Sequence, residues 1–242
     1  MQARIPPVSV DYKEKGTYGT LDGLKTYITG STSADTGILV IYDIFGYFPQ
    51  TLQGADIIAS ADKEHPYQVF IPDFFEGEPA DITWYPPKDD DTKAKLGNFF
   101  NTKAAPPPKI ERIPKLLKDA QSQNPNIKTW GVLGYCWGGK VATLASGTLD
   151  VFKAGAEVHP AMVDPSDAEK IKIPFLCLAS GDEPADDVKA FGEKLTGPKH
   201  IETFPEQIHG WMAARGDLKD PKVKDAYEKG YKKVITFFHE HL

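Results

Sequence analysis

What this chain of 242 residues lacks narrows its chemistry before any motif is read. Cysteine occurs only as Cys136 and Cys177, too few to staple a protein of this size into a disulfide scaffold. Thiols used singly fit a reducing compartment, where one can remain a nucleophile. Arginine occurs only as Arg4, Arg112 and Arg215, and the formal net charge is −6. No arginine-rich patch exists to grip phosphates, so neither nucleic acid nor an anionic membrane is an expected partner. No apolar run approaches the ~20 residues that a membrane-spanning helix needs, and MQARIPPVSV at the N-terminus lacks the basic-then-apolar pattern of a secretion signal. Cytoplasm is therefore the expected location. The 21 glycines and 20 prolines are scattered rather than gathered into a linker, so one domain over 1–242 is expected.

What is present alternates. Apolar runs at Gly37–Tyr42, Gln68–Ile71, Thr129–Leu133, Ala154–Val158, Phe175–Ala179 and His200–Phe204 read as strands. Most are apolar on consecutive residues, as strands covered on both faces should be. A hairpin over Tyr18–Ile28 turns at Leu21-Asp22-Gly23. Helical spacing appears at Leu52, Ala55, Ile58 and Ala59, and again at Ile113, Leu116, Leu117 and Ala120 with Pro114 in the first turn. The last helix has Asp220 as N-cap, Pro221 at N1 and a face of Val223, Tyr227, Tyr231, Val234 and Phe238. This is the alternation of an α/β fold with a mostly parallel sheet. Residues 75–108 break the rhythm with six prolines, an Asp89-Asp90-Asp91 run and the aromatics Trp84, Tyr85, Phe99 and Phe100. An excursion of that length reads as a cap or lid over a binding site.

The sharpest local feature is Gly134-Tyr135-Cys136-Trp137-Gly138-Gly139, between an apolar strand and a helical run. That is the setting of a nucleophile elbow, with cysteine where serine is commoner. Glycines clear the crowded backbone of such a turn, and the helix N-terminus favours a thiolate. The Trp137 amide faces the same space and can donate to an oxyanion. The same letters nearly spell a P-loop-like nucleotide-binding motif, but Val141 stands where that motif needs the hydroxyl that ligates magnesium. Cys177 lies inside an apolar strand and reads as core.

A nucleophilic thiol needs an imidazole to move its proton and an acid to orient the imidazole. His209, in Gln207-Ile208-His209-Gly210-Trp211 between the last strand and the last helix, is the expected base. His159 follows a strand and belongs to the carboxyl edge of the sheet, where ligands bind. Asp182 is the first carboxylate beyond the Phe175–Ala179 strand, with Glu183, Asp186 and Asp187 as competitors. Cys136, Asp182, His209 is the chain order of the α/β-hydrolase fold.

Taken together, the strings Tyr42-Asp43-Ile44-Phe45-Gly46, Ile71-Pro72-Asp73-Phe74-Phe75, the cysteine elbow, Gly181-Asp182-Glu183 and His209-Gly210-Trp211 with Arg215 beyond resemble the dienelactone hydrolase family, over roughly residues 20–240, and more its eukaryotic, fungal-type branch. The resemblance implies a small α/β-hydrolase acting on an ester or lactone through a thioester, with no metal or cofactor, as monomer or homodimer. It assigns Cys136 as nucleophile, His209 as base, Asp182 as orienter, and the amides of Ile44 and Trp137 as oxyanion donors. It makes Asp43, Phe45, His159, Trp211 and Arg215 candidates for gating or substrate contact. In the family, an acid at the Asp43 position pairs with the resting cysteine; bacterial members have glutamate there, and an arginine where this chain has Ala213. Without that arginine, and with none in 75–108, the expected substrate is neutral or weakly anionic. A catalytically idle relative that binds a ligand or partner is the alternative.

Overall fold

The computed structural model describes residues 5–242, so the first four residues of the N-terminal segment lie outside it. Eight strands form one sheet in the order β1-β2-β4-β3-β5-β6-β7-β8. β1 (Thr17–Leu21) and β2 (Leu24–Gly30) make the expected hairpin, and β2 runs antiparallel to β4 (Tyr67–Pro72). From there β3 (Thr36–Ile41), β5 (Thr129–Tyr135), β6 (Ala154–Val158), β7 (Phe175–Ser180) and β8 (Lys199–Phe204) are parallel. Every residue of β3, β4, β6 and β7 is buried. This is why those runs read as continuous apolar sequence rather than as alternation.

Helices cover both faces. α1 (Pro49–Ala61) packs with α7 (Pro221–His241), and α3 (Pro106–Gln123) with α4 (Trp137–Thr148). The short α5 (Pro165–Ala168) and α6 (Ala185–Lys194) stand together near the β8 edge. α7 starts as expected: the Asp220 side chain accepts the Lys222 amide, with Pro221 in the first turn. Among the described residues no helix is long and apolar enough to cross a membrane.

Two local expectations change. α3 begins at Pro106, so Pro114 lies inside the helix rather than in its first turn. It is exposed there, whereas Ile113, Leu116, Leu117 and Ala120 form the buried stripe. The 75–108 excursion is not irregular throughout. It holds a single 3₁₀ turn at Ile82–Trp84 and a full helix, α2 (Asp90–Thr102). The aspartate run starts that helix: Asp89 caps it reciprocally with Thr92, and Asp90 and Asp91 sit in the first turn, where the helix dipole favours acids.

Candidate active site

Loops at the carboxyl ends of β3, β5, β6 and β7, and the loop after β8, meet over one cavity of about 240 Å³. Cys136 lies at its floor. The residue closes the turn between β5 and α4 with φ 55° and ψ −118°, a region that a side-chain-bearing residue holds only where its surroundings over-determine it. Those surroundings are backbone. The Cys136 amide donates to Val158 O at 3.1 Å, and its carbonyl accepts from Ala161 at 3.1 Å and Gly139 at 3.0 Å. A Cβ on Gly134 would meet Gly138 O at 2.0 Å, and one on Gly138 would meet Ile41 O at 2.2 Å. The glycines are thus required by backbone packed on backbone, as an elbow demands. Nothing here is a loop opened around an anion, and Val141 is fully buried.

Trp137 begins α4 and is itself fully buried. Its indole N–H donates to Ala104 O at 2.7 Å, and its ring lies 4.6 Å from that of Phe75. The residue after the thiol therefore clamps both ends of the 75–108 excursion. From that excursion Tyr85 and Phe100 reach the cavity wall.

His209 is brought to Cys136 by the loop after β8. The ring lines the same cavity as Cys136 and is pushed up to about 10. Burial opposes that rise, but the neighbouring Cys136 and the carboxylate of Glu183 outweigh it. The carboxylate on the imidazole ring is not that of Asp182, the acid expected there. Glu183 Oε1 stands 2.6 Å from His209 Nδ1, whereas Asp182 Oδ2 accepts the backbone N–H of His209 at 2.7 Å. The cause lies in how the chain bends after Ser180. Glu183 folds back into the protein, where it accepts the amide and, at 3.0 Å, the hydroxyl of Ser180, while Asp182 stays exposed at the mouth. The two neighbouring acids hold the same histidine by different parts, one by its ring and the other by its main chain.

Asp43 is also placed differently from a gate on the thiol. It is buried, and its carboxylate accepts the amides of Phe45 at 2.9 Å and Ala214 at 3.1 Å. It is a brace between the turn after β3 and the histidine loop. Burial pushes its carboxyl up to about 6 against those two hydrogen bonds. The braced turn puts Ile44 and Phe45 in the cavity wall beside Cys136. Arg215 donates to the His209 carbonyl and lays its guanidinium 4.9 Å over the Tyr85 ring, so it latches the excursion to the histidine loop. Trp211 is core, not substrate contact: it is fully buried and packs on Phe204 at 4.6 Å.

His159 sits against the working face rather than in the cavity wall. Its ring is fully buried, 5.2 Å from the His209 ring and at 68° to it, and neither of its nitrogens has a hydrogen-bond partner. Its backbone has φ 37°. Burial, with His209 alongside, holds this imidazole well below its ordinary value, hence neutral.

Among the described residues no group of three or more His, Cys, Asp or Glu is placed to hold a metal ion. The arrangement gathers a thiol, an imidazole and a carboxylate around one cavity, with a helix N-terminus and a braced turn beside them. Groups of these kinds can chemically support acyl transfer.

Comparisons with known proteins agree with this architecture. A family model described as the dienelactone hydrolase family matches residues 24–242. An uncharacterized AIM2 family protein of Schizosaccharomyces pombe is 37% identical over 222 residues, spanning 89% of this chain and 87% of its own. A carboxymethylenebutenolidase homolog of Homo sapiens is 26% identical over 242 residues, covering 96% of this chain and 94% of that protein. Among solved structures, a putative dienelactone hydrolase from Klebsiella pneumoniae superposes with a TM-score of 0.66 at 16% identity, over 90% of this chain and 93% of its own. At that identity the likeness is one of fold.

Proposed function

The chain belongs to the dienelactone hydrolase family, and from that premise we propose that it is a cysteine-dependent hydrolase of small esters or lactones. The observation that carries the reading is that Cys136, His209 and Glu183 line one cavity, with the Glu183 carboxylate 2.6 Å from the imidazole.

In the proposed reaction the Cys136 sulfur, its proton held by His209, bonds to the substrate's carbonyl carbon. The amides of Trp137 and Ile44 receive the developing oxyanion. Collapse breaks the bond to the alcohol oxygen, which leaves with the proton from His209; in a lactone that alcohol stays tethered to the acyl group. Water, deprotonated by His209, then attacks the thioester, and acid and free thiol are released. Glu183 keeps the ring in the tautomer that faces sulfur, and Asp182 fixes the loop on which the ring rides. The 75–108 segment acts as the cap of a single domain, held to the elbow through Trp137. No step calls for a metal or cofactor.

A panel of activated esters and lactones, assayed on wild type beside Cys136→Ala and Cys177→Ala, tests the reading. Turnover lost in the first variant and kept in the second supports it. Comparable turnover in purified, folded Cys136→Ala refutes it.

A further inference from the structure

The walls and rim of the cavity go further than the class of reaction and specify a class of substrate. Resting on the reading of Cys136 as the acyl acceptor, we propose that the substrate's acyl half is uncharged and ends in a small apolar or aromatic group.

The first ground is what faces the bound acyl group. Ile44, Phe45, Phe100, Pro160 and Ala161 give the cavity hydrocarbon walls. The charged side chains that reach it are His209, Asp182 and Glu183, and His209 is already engaged with Cys136 and Glu183. A carboxylate on the substrate would leave water to face the Asp182 carboxylate and a Glu183–His209 pair, with no free cation in the lining, which disfavours binding.

The second ground is the state of the nearby guanidinium. Arg215 is not part of the cavity wall. It donates to the His209 carbonyl and covers the face of Tyr85. These two contacts hold it between the histidine loop and the Tyr85 ring, outside the cavity wall.

The third ground is the mouth. Few large hydrophobic residues are exposed among those described, and two of them, Tyr85 (37%) and Met162 (49%), line this cavity. Met162 is fixed there in the left-handed region, φ 55°, with its carbonyl accepting from Lys140 Nζ at 3.0 Å. Exposed apolar groups collected at a cavity mouth mark a ligand-contacting surface, and a thioether adapts to varied apolar shapes. The same acids that exclude an anionic substrate also favour departure of the product, which is a carboxylate whatever the ester was.

The test compares phenyl hexanoate with the phenyl monoester of adipic acid, which differ by a terminal methyl against a terminal carboxylate. Wild type should prefer the neutral ester in kcat/KM by about 100-fold. Met162→Lys should narrow that preference by about tenfold or more through faster turnover of the anionic ester. Arg215→Gln should leave the ratio within about twofold, whatever it does to the overall rate, because a latched arginine binds no substrate anion. Equal or better turnover of the anionic ester, or its selective loss in Arg215→Gln, overturns the proposal.

A second measurement keeps the proposal separate from the hydrolase reading. N-phenylmaleimide and its para-carboxylated analogue react with Cys136 directly, each rate being normalised to that of a free thiol. A preference of about tenfold for the neutral reagent supports the cavity's selectivity even if neither ester is hydrolysed; in that case only the hydrolase reading fails. Equal normalised rates overturn the proposed substrate class.

Discussion

Cys136 and Cys177 are both buried, with 7% and 1% of their surface exposed, yet they occupy opposite chemical settings. Cys177 lies within β7 opposite Glu157 of β6. Burial and the neighbouring Glu157 carboxyl push its thiol well above the ordinary value. Glu157 is itself pushed up to about 7 by burial, against the hydrogen bond from Thr143. Cys136 sits instead on a strained turn at a helix N-terminus, open to a cavity and paired with an imidazole. Burial alone therefore does not rank two thiols. The charge of the partner and a path for substrate do.

The hardest way to break this contrast is to exchange the fates of the two thiols. Cys136→Ala should lower ester hydrolysis by about 1,000-fold or more, as expected for loss of a covalent nucleophile. Cys177→Ala should keep hydrolysis within a few-fold while losing about 1–2 kcal/mol of stability to the small cavity left in the sheet. Steady-state kinetics and urea melts on the same preparations read both.

The partner's orientation comes next. Glu183→Gln should lower kcat by about 100-fold, since an amide no longer fixes and charges the ring. Asp182→Asn should cost about tenfold or less, because its carboxylate holds only a backbone N–H. The reverse order would restore Asp182 as the orienter and contradict the geometry.

A smaller effect separates brace from gate. Asp43→Asn replaces one acceptor with a donor facing an amide, so it should destabilise by about 1–3 kcal/mol, while iodoacetamide alkylation of Cys136 stays within about twofold. Folding raises Asp43 from 3.8 to about 6, so the folded state holds its proton more tightly. That contribution is complete below 3.8 and lost as pH rises through about 6. The Asn variant lacks it, and its deficit should be larger at pH 5 than at pH 7.5. A faster alkylation would instead make Asp43 a gate.

The smallest effect concerns His159. With both nitrogens unpartnered, His159→Phe should keep the packing against His209 and leave stability within about 1 kcal/mol. Hydrolysis should stay within about tenfold. A loss of about 100-fold would show that those nitrogens serve the reaction.

The legible parts of this molecule were those written in short stretches of chain. Strand, glycine turn and helix follow one another around Cys136, so the elbow could be read locally, as could the β1–β2 hairpin and the capped start of α7. Choosing between Asp182 and Glu183 depends on which way the chain bends after Ser180, and adjacent carboxylates carry no sequence signal for that. Asp89–Asp91 stood out only as an acidic run within the excursion, because it is the reciprocal bond with Thr92 that reveals a cap. The Arg215–Tyr85 latch and the Asp43–Ala214 brace join segments far apart in the chain, and no local pattern announces such pairs. Trp211 was a candidate through the family-like string His209-Gly210-Trp211, yet the loop turns its ring onto Phe204 in the core.

The central claim is that Cys136 carries the acyl group. Wild type mixed with an activated neutral ester, quenched in acid within the first turnovers and digested for mass spectrometry, tests it most directly. The account predicts an added acyl mass on the peptide containing Cys136, none on the peptide containing Cys177, and slower loss of the adduct in Glu183→Gln. Hydrolysis that proceeds with no adduct on Cys136 trapped at any quench time, or with the acyl group on another residue, would contradict it.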